Sequence, residues 1–420
     1  MTKRLLLLLA ALTILATSAP PSATALTTSW QKKLGADLAS VAVSPTGAIY
    51  VAGSRLNGTF ETKALLAKLT PAGDVVWTRT WLPSNKLDRA TGFPFWSTRA
   101  TAVTVADDGT IYVTGFVEKT NCEGGGWFIR KYGPSGKLLH AFGRYQKTKL
   151  AQCTLTPQFT SDIAARGKLV VVAGQDFGCC DDPATDGWVR AFNARLRPRW
   201  KAQFEPPAST PSAWFDTADG VAIGSGGNVF AGGWASTGPP PSDTVRFTGI
   251  GAVVLEKFDA TGGVLWTRTA GPSMFAGSGV VGVAAHGDRV MLSAAIDGTG
   301  VWWGSSKRTR AWLGRFKPGG SLVWSRTWGL RKKAAAEPTG VAVDASKSTW
   351  VVGTRRDPSD HGLDVFVRRF GPGGASLGGL SFDAGVRRLI GGGIAPRGTS
   401  AYVTGSATAP SSGLVWRVTG

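Results

Sequence analysis

Val41-Ala42-Val43-Ser44-Pro45-Thr46-Gly47-Ala48-Ile49-Tyr50-Val51-Ala52-Gly53 holds two short apolar runs split by a Ser-Pro-Thr-Gly turn. β-Branched and aromatic residues in short runs, interrupted by Pro and Gly, describe a β-hairpin. The pattern returns from Ala102 to Gly115, and its closing small residue recurs at Gly174, Gly232, Ala294, Gly353 and Gly405. A repeat every 52 to 62 residues points to tandem supersecondary units of one domain.

A second hairpin follows each first one, clearest as Ala64-Leu65-Leu66-Ala67-Lys68-Leu69-Thr70-Pro71-Ala72-Gly73-Asp74-Val75-Val76-Trp77. It recurs ending at Trp266 and Trp324, more weakly at Trp200, and with His140 and Gly378 in the Trp position. Each unit thus carries four short strands, and no later stretch sustains a helical period. Four-stranded units in tandem describe the blades of a β-propeller. The seventh unit stops at its third strand, Leu414–Gly420, while Thr28–Gly35 matches a fourth strand. An all-β, seven-bladed propeller over residues 26–420 is therefore expected, its ring closed by the N-terminal strand and left without an open edge.

The A-V-x-x-x-G-x-x-Y-V-x-G strand pair and the K-x-x-P-x-G-x-x-x-W hairpin resemble the bacterial SBBP-type β-propeller repeat across essentially the whole chain after residue 25. Thr261-Gly262-Gly263-Val264-Leu265-Trp266 is also similar to the tryptophan-docking repeat of pyrroloquinoline-quinone propellers. The first resemblance implies an extracellular repeat protein and brings no catalytic residues. The metal-ligand pattern of the second is not recognisable here, so no cofactor is expected.

Lys3 and Arg4 precede an apolar run from Leu5 to about Ala16, and Ala23-Thr24-Ala25 supplies a small-x-small cleavage site. These parts make a secretory signal peptide, cleaved after Ala25. Pro20-Pro21 arrive too early for the ~20 apolar residues of a membrane span. The expected location is secreted, extracellular or periplasmic.

The chain has 420 residues, 43% of them apolar, with 47 Lys+Arg against 27 Asp+Glu, a formal charge of +20. That apolar content excludes a wholly disordered chain. Three histidines and four cysteines argue against a multi-histidine metal centre or a zinc cluster. Lys68, Lys131, Lys257, Arg315, Arg369 and Arg417 recur in one third-strand position, and Lys32, Arg79, Arg268 and Arg326 in one fourth-strand position. Regular spacing reads as perimeter packing and solubility, with an anion-binding surface as the rival and no sequence-specific nucleic-acid recognition expected. Residues two apart share a strand face, so Arg79 should lie between Trp77 and Trp81. His140, in a Trp position, should pack between blades.

The long connections all fall on one rim, and the longest gather over blades 1 to 4. Rigid scaffolds place binding residues on such loops. Trp96, Trp214, Phe215 and Trp234, with Asp182, Asp216 and Asp219, form the candidate set, because flat aromatics beside carboxylates suit sugar rings. The expected partner is an extracellular glycan or a surface protein, bound by a monomer. Cys122, Cys153, Cys179 and Cys180 lie on the same rim and are expected to form disulfides. Cys122 and Cys153 either each bridge to one of the adjacent pair or bond each other, leaving a Cys179–Cys180 ring. Neighbouring Cα atoms lie only ~3.8 Å apart, which favours the first arrangement. No G-x-S-x-G elbow, H-E-x-x-H or P-loop occurs. Binding without catalysis is the expected activity, with a hydrolase or lyase using the loop carboxylates, or a protein-binding scaffold, as alternatives.

Overall fold

The computed structural model describes residues 25–58, 61–82, 96–119, 124–147, 158–177, 185–204, 216–236, 249–276, 281–296, 309–329, 335–356, 362–382, 388–408 and 411–420. The signal segment, the four cysteines, Asp182, Trp214 and Phe215 lie outside these residues, as does the Trp96 side chain.

Among the described residues every regular element is a strand. The chain opens with β1 (Thr27–Leu34). The first unit follows as β2 (Asp37–Val43), β3 (Ile49–Asn57), β4 (Glu61–Leu69) and β5 (Val75–Trp81). The second is β6 (Trp96–Val105), β7 (Ile111–Lys119), β8 (Gly124–Tyr132) and β9 (Leu138–Lys147). The third is β10 (Gln158–Arg166), β11 (Leu169–Phe177), β12 (Thr185–Asn193) and β13 (Pro198–Phe204). The fourth is β14 (Asp216–Ile223), β15 (Val229–Ser236), β16 (Gly249–Phe258) and β17 (Val264–Ala276). The fifth is β18 (Gly282–His286), β19 (Arg289–Ile296), β20 (Arg310–Phe316) and β21 (Leu322–Trp328). The sixth is β22 (Ala336–Val343), β23 (Thr349–Arg356), β24 (Leu363–Phe370) and β25 (Ser376–Phe382), and the chain finishes with β26 (Leu389–Arg397), β27 (Ser400–Thr408) and β28 (Ser411–Thr419).

The third to sixth units are separate four-stranded antiparallel sheets in sequence order. The first and second join into one eight-stranded sheet through a single parallel bridge, Thr62 to Ser97. The last sheet has the order β1-β28-β27-β26, so the N-terminal strand pairs antiparallel with the C-terminal one, from Thr27 opposite Thr419 to Leu34 opposite Gly413. Buried aliphatic and aromatic residues fill the spaces between successive sheets, as in the cluster that joins Tyr50 and Leu66 to Trp81, Val113 and Phe128.

One kind of contact recurs at five of the seams. The Trp of an outer strand donates its Nε1–H to a backbone carbonyl in the next unit's outer turn. The pairs are Trp30 to Pro71 (3.2 Å), Trp77 to Pro134 (3.3 Å), Trp200 to Ala260 (3.0 Å), Trp266 to Pro318 (3.2 Å) and Trp324 to Pro372 (3.2 Å). Its ring lies on a turn glycine of positive φ: a β-carbon at Gly136 (φ 80°) would come within 2.9 Å of Trp77, and one at Gly374 (φ 84°) within 2.8 Å of Trp324. Only glycine offers both the left-handed backbone and the bare surface. Arg79 adds a hydrogen bond to the Gly136 carbonyl (3.0 Å), and Arg326 one to Gly374 (2.7 Å).

Two side chains depart from the sequence reading. Arg79 lies 5.2 Å over Trp77, but Trp81 is buried and takes Arg130 of the next unit at 4.7 Å. The reason is that Trp81 reaches across the seam to stack edge-on with Phe128. His140 is exposed instead of packing between units. At its seam the facing turn carries Leu196, buried and at φ 57°, where other turns carry the clamp glycine, so the landing surface for a ring is gone.

Candidate functional site

The first strand of each unit faces a common axis, and five of these strands share a defect. Pairing slips by one residue between Leu38 and Ser40, Ala100 and Ala102, Thr160 and Asp162, Ala218 and Gly220, and Pro338 and Gly340. A β-bulge leaves one residue without a cross-strand partner and re-aims its side chain. The residues so released are Ala39, Thr101, Ser161, Asp219 and Thr339. All five line a cavity of about 550 Å³ whose walls come from β2, β6, β10, β14, β18, β22 and β26. The lining runs from the bulges toward the rim of tight turns, where exposed Asp107, Arg166 and His286 border it.

Two carboxylates stand in this cavity. Asp162 accepts the N–H of Ile163 through Oδ1 (2.8 Å) and, across the seam, that of Val221 through Oδ2 (3.0 Å). Asp219 accepts the N–H of Val281 of the following unit (3.4 Å). Ser40 makes the comparable link to Val103 N–H (3.2 Å), and Thr339 donates to the Gly392 carbonyl (2.8 Å). Small polar side chains thus stitch neighbouring units around the axis. Solvent-sized space reaches part of both carboxylates from within, but protein surrounds them. Loss of bulk hydration pushes Asp162 up to about 6 and Asp219 up to about 7, against the opposing pull of their N–H donors. A neutral carboxyl donates as well as accepts a hydrogen bond, so near neutrality Asp219 offers both.

Of the sequence-derived set, the structure places Asp219 in the cavity. Asp216, at the start of the same strand, is buried, has an interaction partner and does not line the cavity. Trp234, on β15, is half-buried, lies over Gly251 and packs against the Phe230, Val253 and Leu255 cluster. Its buried Nε1 has no hydrogen-bond partner among the described residues. The sequence reading missed Asp162, Ser161, Thr101 and Thr339. A signal for Asp162 was present: in the alignment of first strands it occupies the position held by Gly220, Gly282 and Gly340. Among the described residues no group of three or more His, Cys, Asp or Glu is placed to hold a metal ion. Nor is any helix there long and apolar enough to cross a membrane.

No family model matches the sequence, and no curated protein matches it. Solved structures do match. A point variant of an α-L-arabinofuranosidase from Fusarium graminearum, in complex with an iminosugar inhibitor, aligns with a TM-score of 0.52 at 9% identity over 80% of this chain and 93% of that one. The same organism's GH93 α-L-arabinofuranosidase with arabinobiose gives 0.49, again at 9% identity over 80% and 93%. The β-propeller domain of the Trilobed protease from Pyrococcus furiosus gives 0.43 at 8% identity over 91% and 96%. At such identities the likeness speaks to architecture alone, and the successive four-stranded antiparallel sheets about one cavity are themselves those of a β-propeller.

Proposed function

We propose that the chain is a secreted, seven-bladed β-propeller of SBBP type, closed by β1 on β28, that binds a glycan without cleaving it. The observation that carries this reading is the axial cavity. Its volume of about 550 Å³ falls within the range of small-molecule sites, and its walls present hydroxyl and carboxyl groups from Ser40, Thr101, Ser161, Asp162, Asp219 and Thr339. A ring of hydroxyls and proton-sharing carboxyls suits a polyhydroxylated ligand, which must exchange every water hydrogen bond for one to protein. The arabinofuranosidase neighbour, solved with an iminosugar, agrees with a sugar-sized ligand in this architecture. The long-connection rim with Trp96, Trp214, Phe215 and Asp182, at the other ends of these strands, would offer a separate contact for further sugar units.

The test is calorimetric titration of residues 26–420 with neutral oligosaccharides, arabinobiose included, with new reducing ends assayed in the same samples. Saturable binding without products is expected. Asp219→Leu, which keeps bulk but removes the hydrogen bonds, should weaken binding at least ~10-fold, about 1.4 kcal/mol. Unchanged affinity in that variant overturns the cavity as the site. A hydrolase is the second reading, and one observation favours it: Asp219 holds a proton near neutral pH, as a general acid must. Product release that disappears in Asp219→Asn would establish it. Both carboxylates accept backbone N–H groups that join units, which argues for the binding reading.

A further inference from the structure

The third unit departs from the repeat in the charge of its tight turns. Its outer turn reads Asn193-Ala194-Arg195-Leu196-Arg197, whereas the corresponding turns, Thr70–Asp74, Gly133–Lys137, Asp259–Gly263, Lys317–Ser321 and Gly371–Ala375, carry at most one charge each. Arg199 and Lys201 continue the series along β13, and Arg166 and Lys168 stand in the unit's other tight turn. All six are exposed, and no ion pair engages any of them among the described residues. The two turns belong to one sheet and lie two strand spacings apart, roughly 10 Å. On adjoining turns Asp108 accepts the Thr110 N–H (2.9 Å) and Asp259 the N–H groups of Thr261 (2.7 Å) and Gly263 (2.9 Å), while exposed Asp107 is, among the described residues, the one acid at the patch's edge beside Arg166. The turn also holds Leu196 at φ 57°, a left-handed backbone state that is strained for a non-glycine residue.

A second departure indicates what the patch would bind. Four other units expose an apolar pair just before the clamp position: Val75-Val76, Leu138-Leu139, Val264-Leu265 and Leu322-Val323. The third unit has Pro198-Arg199 there, and its one large apolar turn residue, Leu196, is buried. The patch therefore lacks the apolar wedge that would enter a lipid layer. It also lacks exposed aromatic faces for nucleic-acid bases to stack on. Arginine, with its planar fork, pairs bidentately with carboxylate or sulfate. We infer that the tight-turn face of the third unit, through Arg166, Lys168, Arg195, Arg197, Arg199 and Lys201, is a docking surface for an acidic polysaccharide. The choice of a polysaccharide as the polyanion rests on the carbohydrate reading above, while the anionic character rests on the patch itself.

Binding of residues 26–420 to polygalacturonate is measured at 50 mM and 500 mM NaCl, beside the Arg195→Gln/Arg197→Gln/Arg199→Gln variant. A control variant, Lys137→Gln/Lys317→Gln, alters the matching turns of other units. Expected are a loss of about 10-fold or more in the triple variant, a comparable loss at high salt, and little change in the control. A triple variant that binds like the parent, or a control that loses as much, overturns the inference. So does binding of single-stranded DNA or of phosphatidylglycerol vesicles in preference to polygalacturonate, or no binding to any of them. Arabinobiose binding and its Asp219→Leu variant, measured alongside, report on the cavity alone, so either proposal can fail without the other.

Discussion

Asp219 and Asp162 show how one side chain can serve a seam and a cavity together. A bulge turns Asp219 inward, where its carboxylate is needed by the Val281 N–H yet is deprived of water. Because burial raises its pKa from 3.8 to about 7, the folded protein holds a proton that the unfolded chain has released between those values. Stability therefore falls as pH rises through roughly 4 to 7, the contribution being most favourable on the acid side. Asp162, raised to about 6, acts in the same direction over a shorter window. The others at the cavity's border, Asp107, Arg166 and His286, are exposed. Asp219→Asn keeps an acceptor for Val281 and removes the buried charge. Thermal melts should show the variant more stable than the parent at pH 8, by about 4 kcal/mol, with the gap narrowing below pH 7 and closing only as pH falls to about 4. A gap independent of pH would mean that Asp219 is ionised at little cost. Asp219 was legible in the sequence as one acid in a group, but its aim was not. The bulge that sets it depends on pairing with β15, and alternation alone puts successive residues on opposite faces.

At the level of the strand, the repeat was legible because its hairpins are local: turn glycines, Pro and the outer Trp recur at fixed offsets. What these residues touch was not legible, because each clamp joins residues 41 to 60 apart in sequence, as Trp77 does with Pro134. The seam between the second and third units shows the clamp by its exception. His140 stands for Trp, Phe142 for Arg, and Leu196 for Gly. Phe142 packs at 5.4 Å on Trp127 and 5.0 Å on Phe192, and Leu196 joins the same cluster. This exchange is reciprocal, so its parts should not behave independently. His140→Trp alone should gain nothing, because Leu196 occupies the place of the bare glycine. Leu196→Gly alone should lose stability through its buried side chain, by about 2 kcal/mol. Together they rebuild the clamp and should be more stable than the sum of the single changes, with a coupling of about 1 kcal/mol or more in urea unfolding. Simple additivity would remove the clamp from any account of the seams.

For the molecule as a whole, the pairing of β1 with β28 decides whether the sheets form a chain with two ends or a ring. Eight residues carry it: β1 runs antiparallel to β28, Gln31 accepts the Trp416 Nε1–H (2.9 Å), and Trp30 clamps Pro71 in the first unit. The sixth unit has Gly378 in the clamp position, facing the place where the last sheet pairs β28 with β1 and has no β-turn joining the two. Arg369 bonds the Gly420 carbonyl there (3.0 Å), and Leu26 packs beneath Gly420. Stacked sheets that touch only their neighbours gain stability from each interface, so losing one strand removes a sheet edge and two seams at once. Deletion of residues 26–34 should lower the melting temperature and expose the full backbone edge of β28, a template for pairing with another chain. Size-exclusion chromatography with light scattering should show the truncated protein associating with time, while a synthetic peptide of residues 26–35 added in excess should slow that association. A truncated chain that stays monomeric and melts with the parent would mean that β1 contributes little to holding the sheets together.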